Sequence, residues 1–151
     1  MADNNSFLLR IITPDRIFYE NQVKMVEFNT TEGEIGVLPG HIPLTVIVKP
    51  GILDITEAGG DKMAALHAGF AEILPDRVTI LAEVIEWPEE IDGERASAAL
   101  HRAEERLHSR TPETDIARAE TALQRAKMWI WLLLPEVRKL DRVSCVRQQA
   151  M

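Results

Sequence analysis

One cysteine, Cys145, stands in 151 residues, so no internal disulfide can form. A lone thiol fits a reducing compartment. Arg142 and Arg147 flank it, but no set of partners around it points to a reactive role. Long apolar runs are missing too. Trp129 to Leu134 is the longest notable one, and six helical residues span only about 9 Å, far short of a bilayer. Met1 to Ser6 is polar, with neither the apolar core of a signal peptide nor the Arg-rich pattern of a transit peptide. Such a chain is expected in the cytosol, reaching a membrane only through a partner.

Positive charge is not in excess. The net charge of −7 argues against a nucleic-acid partner. It is also unevenly placed. Residues 1–87 carry 6 Lys and Arg against 13 Asp and Glu, whereas residues 88–151 carry 11 of each. Catalytic signatures are absent as well: no G-x-x-x-x-G-K-[ST] phosphate loop, no G-x-S-x-G elbow, no H-E-x-x-H pair. The four histidines are scattered. His101 and His108 are seven apart, where helical metal ligands usually sit at i and i+4, so no metal site is expected. His41, between Gly40 and Ile42, reads as a hydrogen-bonded structural residue rather than a base.

What the chain does have is punctuation. Five of the thirteen residues from Glu32 to Leu44 are Gly or Pro, with single apolar residues between them. Gly supplies backbone angles that other residues avoid, and Pro fixes φ and removes a donor. Around this stretch run short strand-like segments: Phe7–Ile12, Arg16–Tyr19, Val23–Phe28, Leu44–Val48, Ile52–Thr56, Met63–Ala68, Phe70–Leu74 and Val78–Val84. Thr13-Pro14-Asp15, Pro50-Gly51, Ala58-Gly59-Gly60-Asp61 and Pro75-Asp76 separate them as turns. Imperfect alternation in Val23–Phe28 suggests a bulge. Eight to ten short strands without a helix between them predict a β-sandwich or flattened barrel of antiparallel order.

After Trp87-Pro88 the period changes. Ala96, Leu100, Ala103 and Leu107 form one helical seam, and Ile116, Ala119, Leu123, Ala126, Ile130 and Leu133 a second. Asp92 is placed to cap the first helix. Thr111 is expected to cap the second, with Pro112 at its first position and Glu113 near the positive end. The short connection makes the pair an antiparallel hairpin, and Pro135 should stop or kink the second helix. Much of both seams is alanine, so hairpin closure should be marginal beside the sandwich core, and a partner or ligand can shift such a balance. The expected division is a sandwich over 1–87, a hairpin over 88–134 and a basic tail of unread role over 135–151.

Two stretches, E-G-x-I-G-x-L-P-G-H-x-P in Glu32–Pro43 and G-F-A-E-I-x-P-x-x-V-T-I-L-A-E in Gly69–Glu83, together with the helical segment after them, closely resemble the epsilon subunit of the F-type ATP synthase, whose mitochondrial counterpart is called delta. The resemblance covers about residues 6 to 134. It implies an α+β protein, a ten-stranded sandwich followed by a helical hairpin. It also implies a rotor subunit without a catalytic site, which binds gamma and the ring of c subunits, couples proton-driven rotation to ATP synthesis, and restrains ATP hydrolysis through its helices. The rotor-facing loop would be shaped by Glu32, Gly33, Gly36, Pro39, Gly40, His41 and Pro43. Arg118, Arg125 and Lys127 would meet an acidic segment of a beta subunit as the helices reach the alpha and beta subunits, although a solvated face is the usual explanation of such charge. Ile91-Asp92-Gly93-Glu94-Arg95-Ala96 matches the I-D-x-x-R-A pattern by which some bacterial relatives bind ATP. Glu86, Ile91, Asp92, Arg95, Ala96, Arg102 and Arg125 are then the candidates for weak, regulatory ATP, with no cofactor required. A capped helix start would produce most of the same letters, and Trp129 stands where ATP-binding relatives carry a further basic residue. The complex would place the chain on the cytoplasmic face of the bacterial inner membrane. The rival from another class is a free-standing sandwich-plus-hairpin binding or scaffold module; an enzyme comes third.

Overall fold

The computed structural model describes residues 5–134, so the tail, with Pro135 and Cys145, lies outside the described residues. The chain divides into two compact units between Trp87 and Pro88.

The first unit holds ten strands: β1 Phe7–Ile12, β2 Ile17–Val23, β3 Met25–Thr30, β4 Gly33–Val37, β5 Leu44–Val48, β6 Gly51–Glu57, β7 Gly60–Leu66, β8 Gly69–Ile73, β9 Arg77–Ala82 and β10 Ile85–Glu86. They follow one hydrogen-bonded path, β10-β7-β6-β3-β5-β8-β9-β1-β2, with β4 added beside β3. The path turns a corner at β3. This strand pairs with β6 through Met25–Glu27 but with β5 only at Thr30, so it passes from one layer to the other. Alternation sets the inner face. In β1, Phe7, Leu9 and Ile11 point in and Arg10 points out. With Val26, Phe28, Leu53, Ile55, Ile73 and Ile80 they fill a core from which water is excluded.

Antiparallel pairing, expected from the short connections, holds for every described pair except β1 with β9, which run parallel. Short connections constrain only consecutive strands, and these two are far apart in sequence. The irregularity expected within Val23–Phe28 is a bend at Lys24 that separates β2 from β3; a register shift lies instead in β1, between Ile11 and Ile12. Gly69 meets a close approach. A Cβ there would lie 2.0 Å from the Leu81 carbonyl oxygen, so no side chain fits where β8 crosses β9.

In the second unit a 3-10 turn over Pro88–Glu90 leads into α1, Gly93–Ser109, and α2, Ile116–Leu133. Asp92 caps α1 as expected: its Oδ1 accepts from the Glu94 and Arg95 N–H groups at 3.0 and 3.2 Å. The second cap differs from the expectation. Asp115, not Thr111, caps α2, accepting from the Arg118 N–H at 3.0 Å. Thr111 is used up in the connection. Its hydroxyl bonds that of Thr114 at 2.9 Å, and its carbonyl accepts from the Thr114 N–H, so Pro112 and Glu113 sit in a turn before the helix. The helices pack along each other. A Cβ on Gly93 would touch Leu133 Cδ1 at 3.5 Å, which sets the start of α1 beside the end of α2, as an antiparallel hairpin requires. Ala96, Ala103, Ala119 and Ala126 are buried on the seams, but Ile116 is 44% exposed in the first turn of α2, and Met128 and Leu132, off the expected seam, are buried.

Candidate docking face

Sandwich strands should hide one face and show polar residues on the other. Four neighbouring pairings break that rule. Ile47 on β5 is the register partner of Phe70 on β8, Phe70 of Leu81 on β9, Leu81 of Ile12 on β1, and Ile12 of Ile17 on β2. Their chain neighbours Val48, Ala71, Ile80 and Ile11 are buried, so this row points outward. Ile47 is 63% exposed, Ile17 53% and Phe70 47%. Five strands at the usual spacing make the row about 19 Å long. Beside it lies a groove of about 400 Å³ lined by Thr13, Pro14, Phe70, Leu81 and Glu83 among others. The next outward row is polar: Thr45, Glu72, Thr79, Arg10 and Glu20 lie in register, and Arg10 Nε pairs with Glu20 at 2.8 Å. An apolar stripe with a charged border is the make-up of a docking face.

This face escapes a reading of motifs. Its signal lies in the runs Val46–Val48 and Ile80–Ala82, where apolar residues continue without alternation. Such runs belong to strands covered on both sides.

The loop from Glu32 to Pro43 spans more than one element. Gly33 and Gly36 belong to β4, while Pro39, Gly40, His41 and Pro43 lie in the connection to β5. Thr30 Oγ1 accepts from the Glu32 N–H at 3.2 Å and donates to the Gly33 carbonyl at 2.7 Å, closing the β3–β4 turn. Gly40, at φ 81°, adopts a left-handed angle and donates its N–H to the Pro75 carbonyl at 2.8 Å, which ties the loop to the β8–β9 turn. His41 Nδ1 bonds the Ile42 carbonyl at 2.7 Å, the structural part expected of it. The loop's largest exposed side chains are Leu38 at 58% and Ile42 at 73%, neither among the expected site residues.

The candidate nucleotide residues divide between the units. Glu86 is in β10, with Oε2 3.7 Å from Nε2 of the buried His67. Ile91 is half-buried, Asp92 spends its carboxylate on the cap, Arg95 and Arg102 are exposed on α1, and Ala96 is buried. Arg125 is half-buried on α2, and its Nε is enclosed without a hydrogen-bond partner among the described residues. Arg118 and Arg125, seven residues apart, share one side of α2, but Lys127 falls almost opposite them at 100° per residue. The three therefore do not make a single basic face. Among the described residues no cluster of His, Cys, Asp and Glu suits a metal ion, and no helix is long and apolar enough to cross a membrane.

Known proteins share this arrangement. A family model described as the beta-sandwich domain of the ATP synthase delta/epsilon chain matches residues 6–88, and one described as its long alpha-helix domain matches residues 89–130. The ATP synthase epsilon chain of Bacillus velezensis is 48% identical over 118 residues, which cover 78% of this chain and 89% of that one. That of Caldanaerobacter subterraneus subsp. tengcongensis is 46% identical over 126 residues, 83% of this chain and 91% of that one. Among solved structures, a chain in the mitochondrial ATP synthase of Euglena gracilis, in its OSCP/F1/c-ring part, superposes with a TM-score of 0.75 at 28% identity, covering 86% of this chain and 82% of that one. The chain belongs to the ATP synthase delta/epsilon family and takes the epsilon subunit's role in it.

Proposed function

We propose that the chain is a non-catalytic subunit of the central rotor stalk in a bacterial, proton-driven ATP synthase, held at the cytoplasmic face of the inner membrane through the complex alone. The outward apolar row carries this reading. Five apolar side chains in register across five strands need a partner surface. The gamma subunit is the partner for that row, and the ring of c subunits for the loop from Glu32 to Pro43, whose exposed Leu38 and Ile42 support a contact there. Two such contacts make the sandwich a coupling between c-ring rotation and ATP synthesis.

The helical unit restrains ATP hydrolysis by reaching the alpha and beta subunits. Arg118 and Arg125 lie on one side of α2 and Lys127 on the other, so an acidic partner has to enclose the helix to use all three. ATP is a weak ligand of the helical unit, at roughly millimolar Kd. The exposed Arg95 and Arg102 on α1 support an anion there. Calorimetric titration of the chain with ATP should saturate in that range and Arg95→Ala should abolish the heat; equal heats in both would leave Ile91–Ala96 as a helix cap.

The docking row is tested by placing carboxylates in it. Ile47→Asp with Phe70→Asp should leave the circular dichroism unchanged, because both side chains face solvent, while the tagged chain no longer co-purifies with gamma and c subunits. Undiminished co-purification would move the interface elsewhere. A parent chain that brings down neither would favour a free-standing binding module.

A further inference from the structure

The groove of about 400 Å³ beside the outward row opens between the β1–β2 turn, the start of β8 and the end of β9. Three members of the row, Ile12, Phe70 and Leu81, line it, and Thr13 and Pro14 of the turn add to the lining. Gly69 brings no side chain to the groove and accepts none, because a Cβ would meet the Leu81 carbonyl oxygen. Phe70 is 47% exposed, so part of its ring is open to a partner. Among the described lining residues one is charged, Glu83. It follows Leu81 by two residues, about 7 Å beyond the row at strand spacing.

The backbone of Glu83 is held and its carboxylate is not. Its N–H donates to the Ala68 carbonyl at 2.8 Å, which fixes the chain where β9 ends. Its side chain is exposed, and among the described residues no cation pairs with it. The unit around it is acidic, with 13 Asp and Glu against 6 Lys and Arg in residues 1–87.

Apolar walls and a single carboxylate select what fills them. A wholly apolar side chain would cover Glu83 without pairing it, and an unpaired buried charge is costly. An acidic one would add repulsion. A side chain with an apolar stem and a cationic head satisfies both parts of the groove. Arginine fits better than lysine. Its planar guanidinium can stack on the Phe70 ring while its fork of donors takes both oxygens of Glu83, whereas an ammonium is a strongly hydrated point charge.

We propose that the groove is the anchor subsite of the docking face and takes one arginine side chain of the gamma subunit, with its stem against Phe70, Leu81 and Pro14 and its guanidinium on Glu83. This subsite rests on the reading of the row as the face that gamma covers. Apolar contacts alone let a partner slide along a row of similar side chains. One enclosed ion pair at its flank sets the register.

The test uses the full chain and the gamma subunit of its own complex, with Kd measured by calorimetry. Glu83→Gln keeps the size and removes the charge. It should weaken binding about tenfold and Glu83→Lys about a hundredfold, with circular dichroism unchanged because Glu83 faces solvent. Phenylglyoxal, which modifies arginines, should spare one arginine of gamma in the parent complex and reach it in the Glu83→Gln complex. Ile47→Asp with Ile17→Asp disturbs the row at two residues that do not line the groove. If that pair abolishes binding while both Glu83 variants bind like the parent, the row stands and the subsite is overturned. If the pair binds like the parent, the row reading itself fails and the subsite falls with it. Carbodiimide coupling of Glu83 to a lysine of gamma, with no arginine protected, would overturn the assignment of arginine.

Discussion

Glu27 opposes the fold that contains it. It pairs in register with Asp54, and Glu34 lies near. Burial first, then the charges of Asp54 and Glu34, raise its pKa above the usual value. A carboxyl whose pKa is higher folded than unfolded binds its proton more tightly in the native state. The stability it offers is full below the unfolded value and is lost as pH rises through the folded one. At neutral pH the charge therefore costs stability. Glu27→Gln should raise the stability at pH 7–8, by less than about 1 kcal/mol for so partly solvated a group, and change little near pH 4. Thermal unfolding at the two pH values checks this; an equal gain at both would assign the effect to something other than the charge. Glu57 has the opposite sign. Its hydrogen bond from Tyr19 lowers its pKa most, against burial, with Lys62 helping. Its contribution is present above the unfolded value and fades as pH falls through the lowered one.

Elements were legible in the sequence where a local rule decides them, and illegible where distant contacts do. Leu44–Val48 is legible to the residue because Pro43 and Pro50-Gly51 bound it on both sides, and Phe7–Ile12 because a polar start and the Thr13-Pro14-Asp15 turn do. The cap of α2 differs from its local signal, because Thr111-Pro112-Glu113 satisfies every local preference for a helix start, yet the Thr111–Thr114 hydroxyl pair closes a turn there and leaves Asp115 to cap the helix. The two substitutions separate these roles. Asp115→Ala should weaken α2 by about 1 kcal/mol, whereas Thr111→Ala should cost less, since it removes a bond in an exposed turn. Chemical denaturation followed by helical circular dichroism ranks them; a larger loss in Thr111→Ala would restore the threonine as the cap. The loop from Glu32 to Pro43 is legible through its Gly and Pro residues. The row from Ile47 to Ile17 is not, because it joins five strands whose register no local pattern reveals. The resemblance groups Lys127 with Arg118 and Arg125, although two residues along a helix from Arg125 lead to the opposite side.

At the scale of the molecule, the two units differ in what holds them. Nineteen buried apolar residues pack in the sandwich cluster, most of them large. Of six fully buried residues described in the helical unit, four are alanine. A large aliphatic side chain stabilises by about 1.5–3 kcal/mol on burial and a methyl group by about 0.8. The fragment 1–87 should therefore fold alone, keep a cooperative thermal transition, and bind gamma without restraining hydrolysis. An unfolded fragment by circular dichroism would make the helices part of the sandwich's stability. The parallel pair of β1 and β9 has a further effect, on the order of events during synthesis. Leu8 leaves the ribosome about seventy residues before Arg77, its partner in the ladder. Until β9 emerges, β1 has only the β2 hairpin to lean on, and the edge that β9 will cover stays open to other chains. The sheet closes late and through a long loop, so folding is expected to be slow, and the nascent sandwich spends that interval with an unsatisfied strand beside the same row of apolar side chains that the finished protein leaves exposed.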